Sequence, residues 1–161
     1  MHDWINILKL EKHIEGGYFS VFYQADTLVQ IKNSNIIRKA GTSIYFLLEK
    51  QDISTWHKLT SDEIWHFYDG TALMIHTIDQ NGTYEKHILG NAKLLNNATY
   101  QVLIKSNTWF AAEVINKSSY ALVGCTVCPG FEYQDFMLGN LDDLIQQFPQ
   151  HKNIILFYKK C

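Results

Sequence analysis

The sequence predicts an all-β fold, with strands rolled into a barrel and a short helix near each end. Three observations carry that prediction. Short runs rich in β-branched and aromatic residues recur between Tyr18 and Val127. Turn chemistry separates many of them, at Asp69-Gly70, Asn81-Gly82, Gly90-Asn91, Asn96-Asn97 and the polar run 116–119. No helical period falls between them, which excludes the strand–helix alternation of a parallel α/β sheet.

Taken in order, Asp3 is placed to cap a short helix through Trp4, Ile7, Leu8 and Lys12 that ends near Gly16-Gly17. Strands are expected over 18–23, 27–31, 42–49, 63–68, 72–78, 84–88, 100–104, 109–114 and 120–127. Asn140 caps a second helix over 141–148, which Pro149 stops, and 154–158 reads as a closing strand. Residues 43–48 are apolar at nearly every position, so both faces of that strand need cover, one inside and one from a second sheet or another subunit. Strand alternation places Glu63, Trp65 and Phe67 on one face and Ile64, His66 and Tyr68 on the other. Both faces are too aromatic for free solvent, and a homodimer is the simplest cover.

The 161 residues suit one domain, 1–161, and a composition 47% hydrophobic and 14% aromatic is one that folds throughout. With a net charge of −2 and no basic run longer than Lys159–Lys160, no face can neutralise several phosphates, so nucleic acid is not an expected partner. The start lacks the basic-then-apolar pattern of a secretory leader, and the longest apolar runs are a few residues, as at 44–48. The expectation is a cytoplasmic protein without a membrane partner. Three cysteines cannot form a closed disulfide set. Cys125 and Cys128 form a C-x-x-C, but in a strand positions three apart point to opposite faces, so the thiols diverge.

The segment from Ser54 to Gly70 carries most of the chemical information. It resembles the first cupin motif, G-x5-H-x-H-x3/4-E-x6-G, with His57 at the first histidine, Glu63 at the glutamate and Gly70 at the closing glycine. A hairpin there folds a histidine on one strand toward a carboxylate on the next. Leu59 stands at the second histidine, and Phe110 stands at the last metal histidine of the second motif. Further blocks are similar to one branch, the cupin-5 group of unknown function: His13-Ile-Glu-Gly-Gly-Tyr-Phe19, Ser43 to Leu48, Trp56-His57, Ser61 to His66, Leu89-Gly90, and Val123 to Val127 followed by Pro129-Gly-Phe131. They run in order over nearly the whole chain. The pattern departs at Ile14, where proline is usual, at Ser20, where arginine is common, and at Lys105 and Asn107, where a barrel-turn proline and glycine are common. The missing arginine weakens any claim to an anionic ligand. The resemblance implies a cupin-type jelly-roll barrel, usually dimeric and similar in shape to sugar-nucleotide epimerases. It implies no activity.

A carboxylate facing Trp65 and Phe67 loses water, so Glu63 must be partnered, protonated or coordinated, and His57 is the expected partner in a coupled acid/base pair. Alternatively, the pair is a buried strut. Metal is disfavoured: His57 and Glu63 supply two ligands where three are usual, and His76 is the third candidate if a metal binds. His66 has the wrong parity. His2, His87 and His151 read as surface or loop residues, and His13 as a border of the cavity. Tyr18, Tyr45, Trp56, Trp65, Phe67, Trp109 and Phe110 are candidate walls for a sugar-like or aromatic ligand, although each also suits an ordinary core. Two functions stay open: binding of a small ligand without chemistry, and a metal-independent isomerase, epimerase or lyase using His57 and Glu63. A metal-dependent oxygenase stands third. No cofactor is expected.

Overall fold

The computed structural model of the chain describes residues 3–158, so His2 and the Lys159–Lys160 pair lie outside the described residues. Asp3 caps α1 (Trp4–Ile7) by accepting the Asn6 N–H. The helix stops well before Lys12. Lys9 enters the left-handed region at φ 52°, and Glu11–Lys12 form β1, paired with the start of β2 (Tyr18–Gln24). The Gly16-Gly17 turn therefore closes a hairpin, and its ladder satisfies the backbone groups that the sequence reading had assigned to helix.

The chain continues through β3 (Leu28–Gln30), β4 (Ile37–Lys39), β5 (Thr42–Glu49), β6 (Ile53–Leu59), β7 (Asp62–Gly70), β8 (Leu73–Ile78), β9 (Tyr84–Leu89), β10 (Ala98–Thr99), β11 (Gln101–Ile104), β12 (Trp109–Val114), β13 (Tyr120–Cys128) and β14 (Phe136–Leu138). Two six-stranded sheets face each other, ordered β1-β2-β5-β13-β7-β11 and β10-β9-β8-β12-β6-β14, with β3–β4 as a separate ribbon. Among the described residues no strand pairs across the two sheets, so the jelly roll is a sandwich rather than a hydrogen-bonded closed barrel. None of the described helices is long and apolar enough to cross a membrane.

The inward positions sort by height. On β5 they run Leu48, Phe46, Ile44, Thr42, opposite Ala121, Val123, Cys125 and Val127 of β13. The upper members of each series join Trp65, Leu73, Ile75, Ile104 and Phe110 in a close-packed core. The lower members give way to polar or smaller side chains, and the sheets part there around a cavity. Cys125 is buried and Cys128 exposed, both as free thiols, as alternation requires.

A second apolar cluster lies outside the second sheet, beneath α2 (Leu141–Gln147) and α3 (Lys152–Phe157). The strand expected at 154–158 is thus helical: Ile155 and Tyr158, three apart, are fully buried while Leu156 and Phe157 are exposed, a spacing only a helix satisfies. The C-terminal segment is tied to β6 by hydrogen bonds. Thr55 Oγ1 donates to the Tyr158 carbonyl at 2.8 Å, and the Trp56 indole donates to the Ile155 carbonyl at 3.2 Å. The Tyr158 hydroxyl donates to Glu113 Oε1 at 2.7 Å.

Candidate functional site

Two local irregularities assemble the site. The first is a bulge in β6. Phe110 of β12 is opposite His57 and Ala112 is opposite Ser54, so three steps on one strand match two on the other. The inserted residue turns Ser54 and His57 to the same, inward side, which plain alternation forbids. The second is the Gly16-Gly17 turn, with φ of 117° and 68°. A Cβ on Gly16 would lie 2.0 Å from the Ile53 carbonyl oxygen, so only glycine lets this loop press against β6. The loop is anchored where the Thr55 N–H donates to the Glu15 carbonyl at 3.0 Å.

That docking inserts the Glu15 side chain between the two inward residues of β6. Ser54 Oγ donates to Glu15 Oε1 at 2.9 Å, and His57 Nε2 lies 3.0 Å from Glu15 Oε2. His13 Nδ1 is 3.5 Å from the same oxygen. His57 Nδ1 is 2.7 Å from the Thr55 carbonyl, which can only accept, so Nδ1 carries a proton. The 3.0 Å contact therefore holds one further proton, on Nε2 or on Oε2. Burial pushes His57 down to about 4, partly offset by its hydrogen bond to Thr55. The partner of His57 is thus Glu15 rather than Glu63.

Glu63 enters from β7 in the facing sheet, level with Val127. It is 7% exposed, and its Oε2 makes no hydrogen bond of good geometry; the Trp65 indole and the Cys125 thiol beside the carboxyl favour its ionised form only weakly. Burial first, and the charge of Glu15 second, push the Glu63 carboxyl up to about 8, so at neutral pH it is largely protonated and can donate. Burial also pushes the Cys125 thiol up, which leaves it a poor nucleophile.

His57 and Glu63 face a cavity of about 570 Å³ between the sheets. Its apolar walls include Phe19, Ile44, Leu59, Val127, Phe131 and Phe136, and His13 borders it. The seven aromatic residues singled out in the sequence lie elsewhere. Trp65 and Phe110 are in the main core, with Phe67 packed against it. Trp56 and Trp109 belong to the cluster under the C-terminal helices. Tyr18 and Tyr45 lie on the outer face of the first sheet. Alternation carried Glu63, Trp65 and Phe67 inward together, but only Glu63 sits low enough to reach the cavity. His66 shares a 3.0 Å hydrogen bond with Thr126 on the outer face. Of the other histidines, His87 is partly exposed, whereas the His151 imidazole bonds the Gly82 carbonyl at 2.8 Å.

His76 is opposite Ala111, on the outward side of the second sheet, where its ring meets Tyr84 and Tyr158. It cannot join His57 and Glu63 around one ion. Among the described residues no three His, Cys, Asp or Glu groups are placed to hold a metal. Leu59 and the Phe110 ring, 4.0 Å from that of His57, fill the positions where imidazoles would be needed. These side chains do not fit the metal centre that the fold family would imply.

Glu15, Phe19, Phe131 and Phe136 were not singled out in the sequence. For Glu15 a signal existed, a carboxylate immediately before Gly-Gly, a turn that drives its neighbour against another strand.

Comparison with known proteins agrees with this architecture. The family model described as Cupin_5, cupin superfamily (DUF985), matches residues 2–139. A protein of solved structure from Shewanella oneidensis is 33% identical, with a TM-score of 0.88 over 98% of this chain and 96% of that one. A hypothetical protein from Leishmania major is 29% identical, with a TM-score of 0.91 over 98% and 97%. Oxalate decarboxylase from Bacillus subtilis is 13% identical, with a TM-score of 0.57 over 92% of this chain and 36% of that one, a likeness of fold alone. No curated protein matches the sequence.

Proposed function

This chain belongs to the Cupin_5 family of the cupin superfamily, and we propose that it binds a small molecule in the cavity between its sheets. The observation that carries this reading is Glu63 Oε2, buried and without a hydrogen-bond partner at the wall of a cavity of about 570 Å³. An unsatisfied buried polar group costs about 1–3 kcal/mol, and a ligand that completes its bonding recovers that cost. The volume suits a molecule of sugar or single-ring size, and Phe19, Phe131 and Phe136 offer ring faces against which such a body can stack.

The arrangement of protons supports acid–base chemistry as a second reading. With the shared proton on His57 Nε2, Glu15 on one side is a carboxylate and a base, while Glu63 on the facing sheet holds a proton to give. In an isomerase or lyase of this design, the His57–Glu15 pair removes a proton from a carbon next to a carbonyl, and Glu63 donates to the carbonyl oxygen as the enol forms.

The test of binding is ligand-observed NMR with a set of small fragments, on the native protein and on Val21→Trp. Val21 lines the cavity from an exposed position, so the larger side chain obstructs the opening without overfilling the core. Fragments that bind the native protein and lose their signal with Val21→Trp support the reading. Binding that survives the obstruction places the ligand elsewhere and overturns it.

A further inference from the structure

The charge around the cavity narrows the ligand, provided that the cavity binds one as proposed above. Four glutamates line it, Glu11, Glu15, Glu63 and Glu132, and among the described residues no lysine or arginine does. The nearby cations stand at its rim, engaged with other groups, two of which, Gln24 and Glu132, line the cavity. Arg38 holds Asp135 with two hydrogen bonds, at 2.7 and 3.1 Å, donates to the Ile37 carbonyl, and lies 3.9 Å from Glu132. Lys39 donates to Gln24 Oε1 at 2.8 Å. Neither reaches Glu15 or Glu63. An anion entering as deep as Glu15 and Glu63 would meet buried carboxyl groups with no lysine or arginine beside them to hold it.

We infer that the cavity takes a small organic cation, an ammonium group on an apolar or aromatic body, with Glu63 as its counter-ion. Among the described residues, Glu63 Oε2 is the one buried carboxyl oxygen of the cavity without a hydrogen-bond partner, and once ionised it is an acceptor for a charge-assisted hydrogen bond. The phenyl rings of Phe19, Phe131 and Phe136 suit such a molecule, since ring faces attract cations as well as apolar groups. Binding is an exchange of charges: the ammonium enters, Glu63 loses its carboxyl proton to the buffer, and an ammonium–carboxylate pair remains.

Three probes of one shape test the inference: phenethylamine, 2-phenylethanol and 3-phenylpropanoate, titrated by calorimetry at pH 7 into the native protein. Two buffers of different ionisation enthalpy count the protons released. Phenethylamine is expected to bind about tenfold more tightly than either of the others and to release close to one proton. Glu63→Gln should abolish both the advantage and the proton release while 2-phenylethanol binds as before, which sets Glu63 apart from His57, Glu15, His13 and Cys125 as the source of the proton. If the alcohol binds as well as the amine, or the propanoate binds better, the cavity still binds a ligand but the assignment of charge is wrong. An amine that binds without releasing a proton from Glu63 overturns the counter-ion role. If none of the three binds at about 10 mM, this inference and the binding reading fall together.

Discussion

Glu63 and His57 bias stability with pH in opposite directions. Glu63 is raised from an ordinary 4.5 to about 8, so it favours the folded state fully below pH 4.5, and this contribution is lost as pH rises through 8. His57 is lowered from 6.5 to about 4, so its contribution is present above pH 6.5 and is lost as pH falls toward 4. Well above pH 6.5 His57 is neutral in both states, and its contribution changes little. Urea titrations between pH 6.5 and 8 should therefore show a loss about 2 kcal/mol larger in the native protein than in Glu63→Gln. Between pH 5 and 6.5 the two slopes oppose each other, so the native protein should be nearly flat while Glu63→Gln weakens as pH falls. Equal losses in the two proteins above pH 6.5 would show that Glu63 is ionised in the fold. At this scale the sequence disclosed that Glu63 had to be protonated or paired, because its strand neighbours are aromatic. It could not disclose Glu15 as the partner of His57, since that contact depends on a loop docking from 39 residues away, the separation of Ser54 and Glu15.

At the scale of elements, the site is a product of two departures from regularity. Replacing Gly16 by alanine forces a side chain into a backbone conformation at φ 117° and against the Ile53 carbonyl. A loss of about 3 kcal/mol is expected in denaturant unfolding. The expected ligand-binding loss should exceed that of a Gly82→Ala control, whose turn at φ 81° lies outside the cavity. Equal effects on binding would mean that the loop does not position Glu15. Strands such as β5 and β13, and β7 over residues 63–67, were legible in the sequence because side-chain alternation is written into it directly. The bulge in β6 was not, because register against β12 is a relation between two distant segments. The C-terminal residues failed differently: Ile154, Ile155 and Tyr158 suit a strand or a helix by composition, and packing beneath α2 decides between them.

At the scale of the molecule, the open question is what covers the outer face of the first sheet. The sequence required cover for both sides of residues 43–48. Part of it comes from within the chain, since α1 and Leu10 shield Leu47 and Leu122. Beyond α1, Phe22 is 68% and Tyr68 50% exposed, with Tyr45 between them in edge contacts of 5.4 and 5.9 Å. The proposed homodimer would bury this aromatic strip. Light scattering should give twice the chain mass at micromolar concentration, and Tyr68→Glu should return it to the single mass without lowering the melting temperature greatly. A single mass for the native protein removes the proposal. The ties between the C-terminal helices and β6 have a practical bearing on all such work. Thr55 and Trp56, which hold Tyr158 and Ile155, sit within the bulge that aims His57 inward. A purification handle fused directly after these helices, or a protease that nicks the chain ahead of α3, acts on His57 from the far side of the sheet. Expression designs that leave the last helix unburdened are the ones in which the site can be assayed as it folds.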